Sequence, residues 1–438
     1  MDRRKFLINT SLAIGASAVL LGCNTGAANT NPTEAIEALP SFANWADIRK
    51  QFLLNPNKMH MSQMLLASHP KPVRDAINRH RTKFDENPVE YWEENYASIE
   101  NDVRKAASTY MNADPSEIAL TDSTTMGLAI LYSGLKLKQG DEIVTTSHDH
   151  YVSEKALEFA CSKTGATLKR VSLYVDPAKA SADEMVAILK KAITNQTRFV
   201  AITFVHSCTG VKTPVKQIAD MVKEVNQGRK NRIYLCVDGV HGFGIENITM
   251  PELGCDFFAA GAHKWIFGPR GTGVLFAKKD AWDMIAPIIP SFENNTYNAW
   301  LDLFPAALLT FSDHCSPGGF HSFENRWALI EAFDFQMKIG KAKVQERSHQ
   351  LSKQLKDGLA SIKHVRLVTP NNEDLSAGIN CFEVQGMKPE EVVKKFFTKN
   401  IIASASPYKI SYARLTPSIV NTEEEVATCL KELELMKG

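Results

Sequence analysis

Neither sign of charge is in excess in this chain, where 50 Lys and Arg stand against 49 Asp and Glu for a net charge of +1. Such a chain offers no electrostatic footprint for nucleic acid, so none is expected as a partner. Long apolar runs are also missing: the run Ser11–Leu21 near the start is too short to span a bilayer. Cysteine occurs eight times, yet the residues after Cys23 show no paired spacing and no zinc pattern, so no metal is expected. Cys208, Cys236, Cys255 and Cys381 lie in apolar, strand-like stretches, where thiols are normally buried. What is present is 438 residues at 44% hydrophobic content, enough for a large core and two or three domains.

One lysine stands out against this background. Phe257-Phe258-Ala259-Ala260-Gly261 has the composition of a buried strand. It runs through Ala262-His263-Lys264-Trp265 and a Gly/Pro turn into a second strand, Val274–Ala277. No Asp, Glu, Arg or second Lys lies within five positions of Lys264. Apolar neighbours desolvate an ammonium and lower its pKa, as a nucleophilic amine requires. Upstream, Arg232–Val237 reads as another buried strand, closed by Asp238 and Gly239. A carboxylate at the carboxyl end of a parallel strand points into the crevice where such sheets bind ligands. A lysine and a carboxylate, each ending a strand, are what pyridoxal 5'-phosphate (PLP) requires. The amine takes the aldehyde as an imine, and the carboxylate keeps the pyridine nitrogen protonated.

Two further stretches fit that cofactor. Ile118–Thr121 reads as a short strand, followed by the hydroxyl-rich turn Asp122-Ser123-Thr124-Thr125 and an apolar helix. Free amides and hydroxyls at a helix start bind a phosphate dianion, although Ser/Thr runs also serve as plain helix caps. Asp141–Thr146 reads as a charged turn and a strand, followed by His148-Asp149-His150. An imidazole at a strand end can lie flat against a pyridine ring. His148, nearer the strand, is the expected one, with His150 two residues on as the alternative.

The order Ser123-Thr124-Thr125, His148-Asp149-His150, Asp238-Gly239-Val240-His241, His263-Lys264, then Tyr412-Ala413-Arg414-Leu415 and Asn421–Glu425 resembles the class V aminotransferase family of fold type I PLP enzymes. That family includes cysteine desulfurases, kynureninases and isopenicillin N epimerase-like proteins, and the resemblance covers residues 55 to 436. It implies an α/β fold: a large domain with a mostly parallel, seven-stranded type of sheet, and a smaller α+β C-terminal domain. It also implies that Lys264 carries the cofactor and shuttles the alpha proton, that Asp238 pairs with the ring nitrogen, and that Ser123, Thr124, Thr125, His241 and His263 hold the phosphate. Ser207 would lie near the ring oxygen and Arg414 would clamp the substrate carboxylate. Gly261 stands where relatives often have a hydroxyl donor. Arg326 and Trp327 stand where many have a Gly-Thr that reaches the partner subunit's phosphate. Either Arg326 takes over that contact across a dimer or the contact is absent.

The stretch Lys399–Tyr412 holds no cysteine, which argues against persulfide chemistry on an enzyme thiol and leaves elimination without one. The loop Ser404–Tyr408 and the surroundings of Trp327 look more like the isopenicillin N epimerase-like branch. The expected activity is of epimerase or lyase type on an amino-acid-like substrate. Transamination is the alternative, and a PLP-binding lipoprotein without turnover is a further one. A homodimer is expected from the resemblance.

The start of the chain reads as an export signal. Arg3-Arg4 precede the short apolar run, and Leu20-Leu21-Gly22-Cys23 closes it like a lipobox, which makes Cys23 the candidate for lipidation and for a membrane tether. A twin-arginine route carries proteins already folded, which suits an enzyme loaded with PLP in the cytoplasm, and the destination is periplasmic. The expected organisation is a signal at 1–23, a tether at 24–45, a large PLP-binding domain at 46–330 and a small domain at 331–438.

Overall fold

Strand residues that are apolar without alternation must be covered on both faces, and this requirement sets the architecture. The structure, a computed structural model, describes residues 42–436. The expected signal at 1–23, Cys23 within it, and the tether as far as residue 41 lie outside the described residues. After a two-residue strand β1 (Met59–His60) come β2 (Ile118–Thr121), β3 (Glu142–Thr146), β4 (Thr167–Val171), β5 (Thr197–Thr203), β6 (Tyr234–Asp238), β7 (Phe257–Gly261) and β8 (Gly273–Ala277). The last seven form one sheet in the order β2-β8-β7-β6-β5-β3-β4. Strands β3 to β7 pair in parallel, and only β8 runs against the rest, between β7 and β2.

Successive side chains of a strand point to opposite faces, and here each face meets its own apolar layer. Val200 and Ile202, Leu235 and Val237, and Phe258 and Ala260 enter one cluster. Phe199 and Ala201, Tyr234 and Cys236, and Phe257 and Ala259 enter the other. Helices Thr124–Gly134, Tyr151–Thr164, Ala182–Ala192 and Val215–Val225 link the strands. Ser181 caps the third of these by accepting the Glu184 N–H, as its spacing predicts. Parallel order places the carboxyl ends of β2, β3, β5, β6 and β7 on one edge of the sheet.

The C-terminal part carries a second, antiparallel sheet. Its strands β9 (Val365–Leu367), β10 (Asn380–Val384), β12 (Ser404–Ala405) and β13 (Ala413–Leu415) lie in the order β12-β13-β10-β9, and β11 (Ile401–Ile402) pairs in parallel with β1. Helices Lys341–Ser361 and Glu423–Leu435 supply Leu351, Leu355, Leu359, Val426 and Leu433 to its core. The mostly parallel seven-stranded sheet and the α+β C-terminal part agree with the expected fold class.

Local differences have local causes. The pattern from Ala328 to about Lys363 reads as one long helical stretch, but it breaks at Gly340, whose φ of +96° no helix permits, and so forms Leu329–Ile339 and Lys341–Ser361. Residues 42–45, assigned to the tether, belong to the folded part: Phe42 packs on Phe335 and Asn44 caps the helix Trp45–Arg49. The described residues fall in one compact unit, in which Val211 bridges to Ser376 and Arg414 donates to the Ser207 carbonyl.

Candidate functional site

The strand ends on the shared edge enclose a cavity of about 170 Å³. Ser123, Thr124 and Thr125 follow β2, His150 follows β3, Thr203 ends β5 with Ser207 beyond it, Asp238 ends β6, and His263 and Lys264 follow β7. Met64, Leu65, Val240, His241, Pro407 and Arg414 are also among the residues that line it. The segment after β1 holds the lysine's backbone in place. Gln63 Nε2 donates to the Lys264 carbonyl at 2.9 Å, and the Ala67 N–H donates to the His263 carbonyl at 3.0 Å.

Burial sets the charges here. Lys264 is pulled down to about 8, first by desolvation and then by Arg414, against the opposing pull of Asp238. Asp238 is pushed up to about 6, chiefly by desolvation, although the Val240 N–H, Lys264 and the Ser153 hydroxyl all favour its charged form. Ser153 Oγ donates to Asp238 Oδ2 at 3.1 Å. Both groups are held near the point where a proton moves at small cost.

At the start of the helix after β2 the expected phosphate-binding residues lie close together. Ser123 caps helix Thr124–Gly134 by accepting the Met126 N–H, and Thr124 Oγ1 accepts the Gly261 N–H at 2.8 Å. A side chain at 261 would have its Cβ 2.8 Å from the His263 ring and 2.9 Å from Thr124 Oγ1. The room a side chain would need at 261 is thus taken by His263 and Thr124. Burial, then Lys264, hold His263 down to about 4.

Two expectations, for His148 and His241, need correction, and the question left open at Arg326 gains a geometry. His148 lies outside the cavity lining: its ring stacks on Tyr174 at 3.9 Å, and its Nε2 accepts the Leu173 N–H. His150 lines the cavity instead, held there as the N-cap of helix Tyr151–Thr164, where its Nδ1 accepts the Val152 N–H. His241 Nε2 lies 3.3 Å from Lys264 Nζ, which places it at the amine end of the site rather than in the Thr124–Gly261 cradle. Arg326 is committed within its own chain, donating to Asp122 Oδ1 at 2.7 Å and facing Glu100 at 3.7 Å.

Arg414 is 1% exposed. It donates to the carbonyls of Ser207 and Ala405 and to Ser404 Oγ, and no carboxylate pairs with it among the described residues. A buried cation balanced only by neutral acceptors calls for an anion, and this one lines the cavity. Ser207 Oγ bonds to the Tyr408 hydroxyl at 2.6 Å. The sequence alone gives no role to Thr203 or Tyr408, although an apolar strand ends near the first and the second closes the loop Ser404–Tyr408; Met64 and Gln63 belong to the entry segment Met59–Leu66, whose place near the cofactor the resemblance implies.

The aminotransferase class-V family profile matches residues 67–407. The chain belongs to the class-V aminotransferase family. It is 22% identical over 406 residues to isopenicillin N epimerase of Streptomyces clavuligerus, covering 90% of this chain and 99% of that one. It is 26% identical over 403 residues to a probable cysteine desulfurase of Pyrococcus abyssi, covering 89% and 96%. Among solved structures, C-DES with glycine covalently linked to its PLP cofactor superimposes with a TM-score of 0.80 at 22% identity, over 88% of this chain and 98% of that one, a likeness of fold. This class-V chain is a PLP-dependent enzyme, and its site fits the cofactor. The uncompensated Arg414, the Gly261 cradle, and a buried lysine and carboxylate at adjoining strand ends are the features that fit.

Proposed function

We propose that this class-V enzyme acts at the alpha carbon of an amino acid or amino-acid-like substrate, by epimerase or lyase chemistry. Arg414 carries the proposal. Its guanidinium would receive the substrate carboxylate bidentately and so fix which bond of the alpha carbon faces the site. When bound, PLP supplies an electron sink that lets the alpha carbon give up a substituent as a cation. Asp238 holds or releases a proton at its carboxylate, Thr124 and Gly261 line the anion cradle, and Met64, Leu65 and Val240 exclude water. Lys264 Nζ, poised near neutrality, moves the alpha proton. His150 and His241 are both held toward neutrality by burial and by Lys264, and His241 Nε2 lies 3.3 Å from Lys264 Nζ.

Similarity to a probable cysteine desulfurase does not extend the proposal to a persulfide on an enzyme thiol. No cysteine lines the cavity among the described residues. Cys208, next to Ser207, turns its thiol to the Ile410 carbonyl and Ser406, and burial pushes its pKa up.

The test incubates the holoenzyme with a panel of amino acids in heavy water and follows alpha-deuterium, chirality and products by mass spectrometry. Inversion with deuterium uptake marks an epimerase, a keto acid with ammonia marks a lyase, and transfer to an added keto acid marks an aminotransferase. Arg414→Ala should raise KM more than it lowers kcat, with kcat/KM down by roughly 10²–10³ for loss of a buried charged pair. The proposal is lost if no amino acid exchanges its alpha hydrogen.

We infer as well that the protein is exported by the twin-arginine route to the periplasm, held to a membrane through Cys23, and works as a homodimer. For export and anchor the support is the pattern Arg3-Arg4, the short apolar run and Leu20-Leu21-Gly22-Cys23, and for the homodimer it is the family resemblance. Labelling with a radioactive fatty acid, lost in Cys23→Ala, checks the anchor.

A further inference from the structure

Trp265 follows the lysine directly, is 2% exposed, and has no part in the site as described so far. Its indole Nε1–H can only donate a hydrogen bond, and it donates to His241 Nδ1 at 3.4 Å. A nitrogen that accepts carries no proton. His241 is held neutral, first by burial and then by the charges of Lys264 and Arg414, so its single ring proton sits on Nε2. That nitrogen is the one 3.3 Å from Lys264 Nζ. An ammonium has three donors and no acceptor, whereas a free amine has a lone pair. The N–H of His241 therefore finds a partner in the free amine and a conflict in the ammonium.

We infer that Trp265 is a positioning residue: by fixing the tautomer of His241 it aims an N–H at Lys264 Nζ and favours the free amine that takes the cofactor aldehyde. The opposite tautomer would set the indole N–H against an imidazole N–H and forfeit that bond. Trp265 is itself fixed from behind, since Gln336 Nε2 donates to its carbonyl at 2.7 Å. The charged and titratable groups around Lys264 come from every neighbouring element. Asp238 from β6 favours the ammonium and Arg414 from β13 opposes it. His150 from the β3 turn and His263 beside the lysine are pushed toward neutrality. Burial and the directed N–H act in the same sense, against the ammonium.

The inference rests on Lys264 being the amine that binds PLP, and its readout needs neither cofactor nor substrate. Full-length protein stripped of PLP is treated with acetic anhydride across a range of pH, and acetylation of Lys264 is followed by peptide mass spectrometry to give the pH midpoint of the amine. Trp265→Phe keeps an aromatic ring but lets His241 turn its proton away. The midpoint should rise by about one pH unit, a roughly tenfold slower labelling near neutrality, the size expected for the net loss of one hydrogen bond to the free amine. His241→Gln with Trp265 intact should restore a low midpoint, because the amide can accept from the indole and donate to the lysine. A midpoint unmoved by Trp265→Phe, with only the melting temperature lowered, would reduce Trp265 to packing. Should Trp265→Phe fail to fold, ¹⁵N-histidine spectra of the unaltered protein decide: His241 with Nε2 protonated sustains the inference, and with Nδ1 protonated overturns it.

Discussion

At the scale of the residue, Asp238 and Lys264 are displaced in opposite directions by one cause, the cost of holding a charge away from water. Asp238 sits at about 6, above its unfolded value, so the folded protein without PLP binds the extra proton between roughly pH 4 and 6. Its contribution to stability is therefore unfavourable once the pH exceeds 6, and it fades as the pH falls through 6 toward 4. Lys264, at about 8, behaves inversely, with a cost that is present below 8 and relieved as the pH rises toward its unfolded value. A cation on the cofactor ring would offset the cost at Asp238. Asp238→Asn should accordingly make the PLP-free protein more stable near about pH 7.5, by an amount on the order of 3 kcal/mol, and neutral near about pH 4. It should at the same time lower turnover of the loaded enzyme at least a hundredfold. Thermal unfolding at the two pH values checks this, and an Asn variant that melts lower at both would remove the argument from desolvation.

At the scale of the element, the site is a meeting of strand ends, and strand ends were the most legible feature of the chain. Apolar runs closing on Asp238, on His263-Lys264 and on Ser123-Thr124-Thr125 mark the strand ends that gather on one edge, while the mostly parallel order is what the resemblance implies. What stayed hidden depends on how a turn leaves its strand. His148 and His150 differ by two positions, and only the capping geometry decides which ring enters the cavity. The helix start at Tyr151 was the available signal, since the residue before it is the one whose side chain folds back onto free N–H groups. His241 was misplaced for a related reason: three residues past Asp238, the chain makes a turn whose direction no local pattern gives. Trp265 and Tyr408 act through partners 24 and 201 positions away, beyond any local pattern. The cradle between β2 and β7 carries its own prediction. Gly261→Ser, which adds the hydroxyl many relatives have, should push His263 and Thr124 apart and weaken PLP retention by at least about tenfold, a few kcal/mol or less of overpacking. Dialysis followed by the absorbance of retained cofactor measures it. Gly261→Ser combined with His263→Ala should recover part of the loss, because the ring that fills the space is gone.

At the scale of the whole molecule, large apolar side chains left in water concentrate between residues 292 and 320. Phe292, Trp300, Leu303, Leu308 and Phe320 are all at least half exposed, with Phe320 at 79% and Trp300 at 74%. Phe320 lies 5.6 Å from Trp92, and Phe292 is joined to the same helix by the bond from the Tyr96 hydroxyl to its carbonyl. Scattered apolar residues on a surface are ordinary, whereas several large ones on neighbouring segments mark a contact with another chain. A second copy of this chain is the occupant that the expected homodimer supplies, and burying Trp300 and Phe320 on each of two copies would contribute several kcal/mol at the usual return per area. Light scattering on the purified protein should then give twice the chain mass of 48.6 kDa. Trp300→Glu and Phe320→Glu, made together, should shift the particle to a single chain mass at micromolar concentration while the circular dichroism spectrum stays unchanged. A doubly substituted protein that remains a dimer would move the interface elsewhere on the surface, and an unsubstituted protein with the mass of one chain would dispose of the dimer altogether.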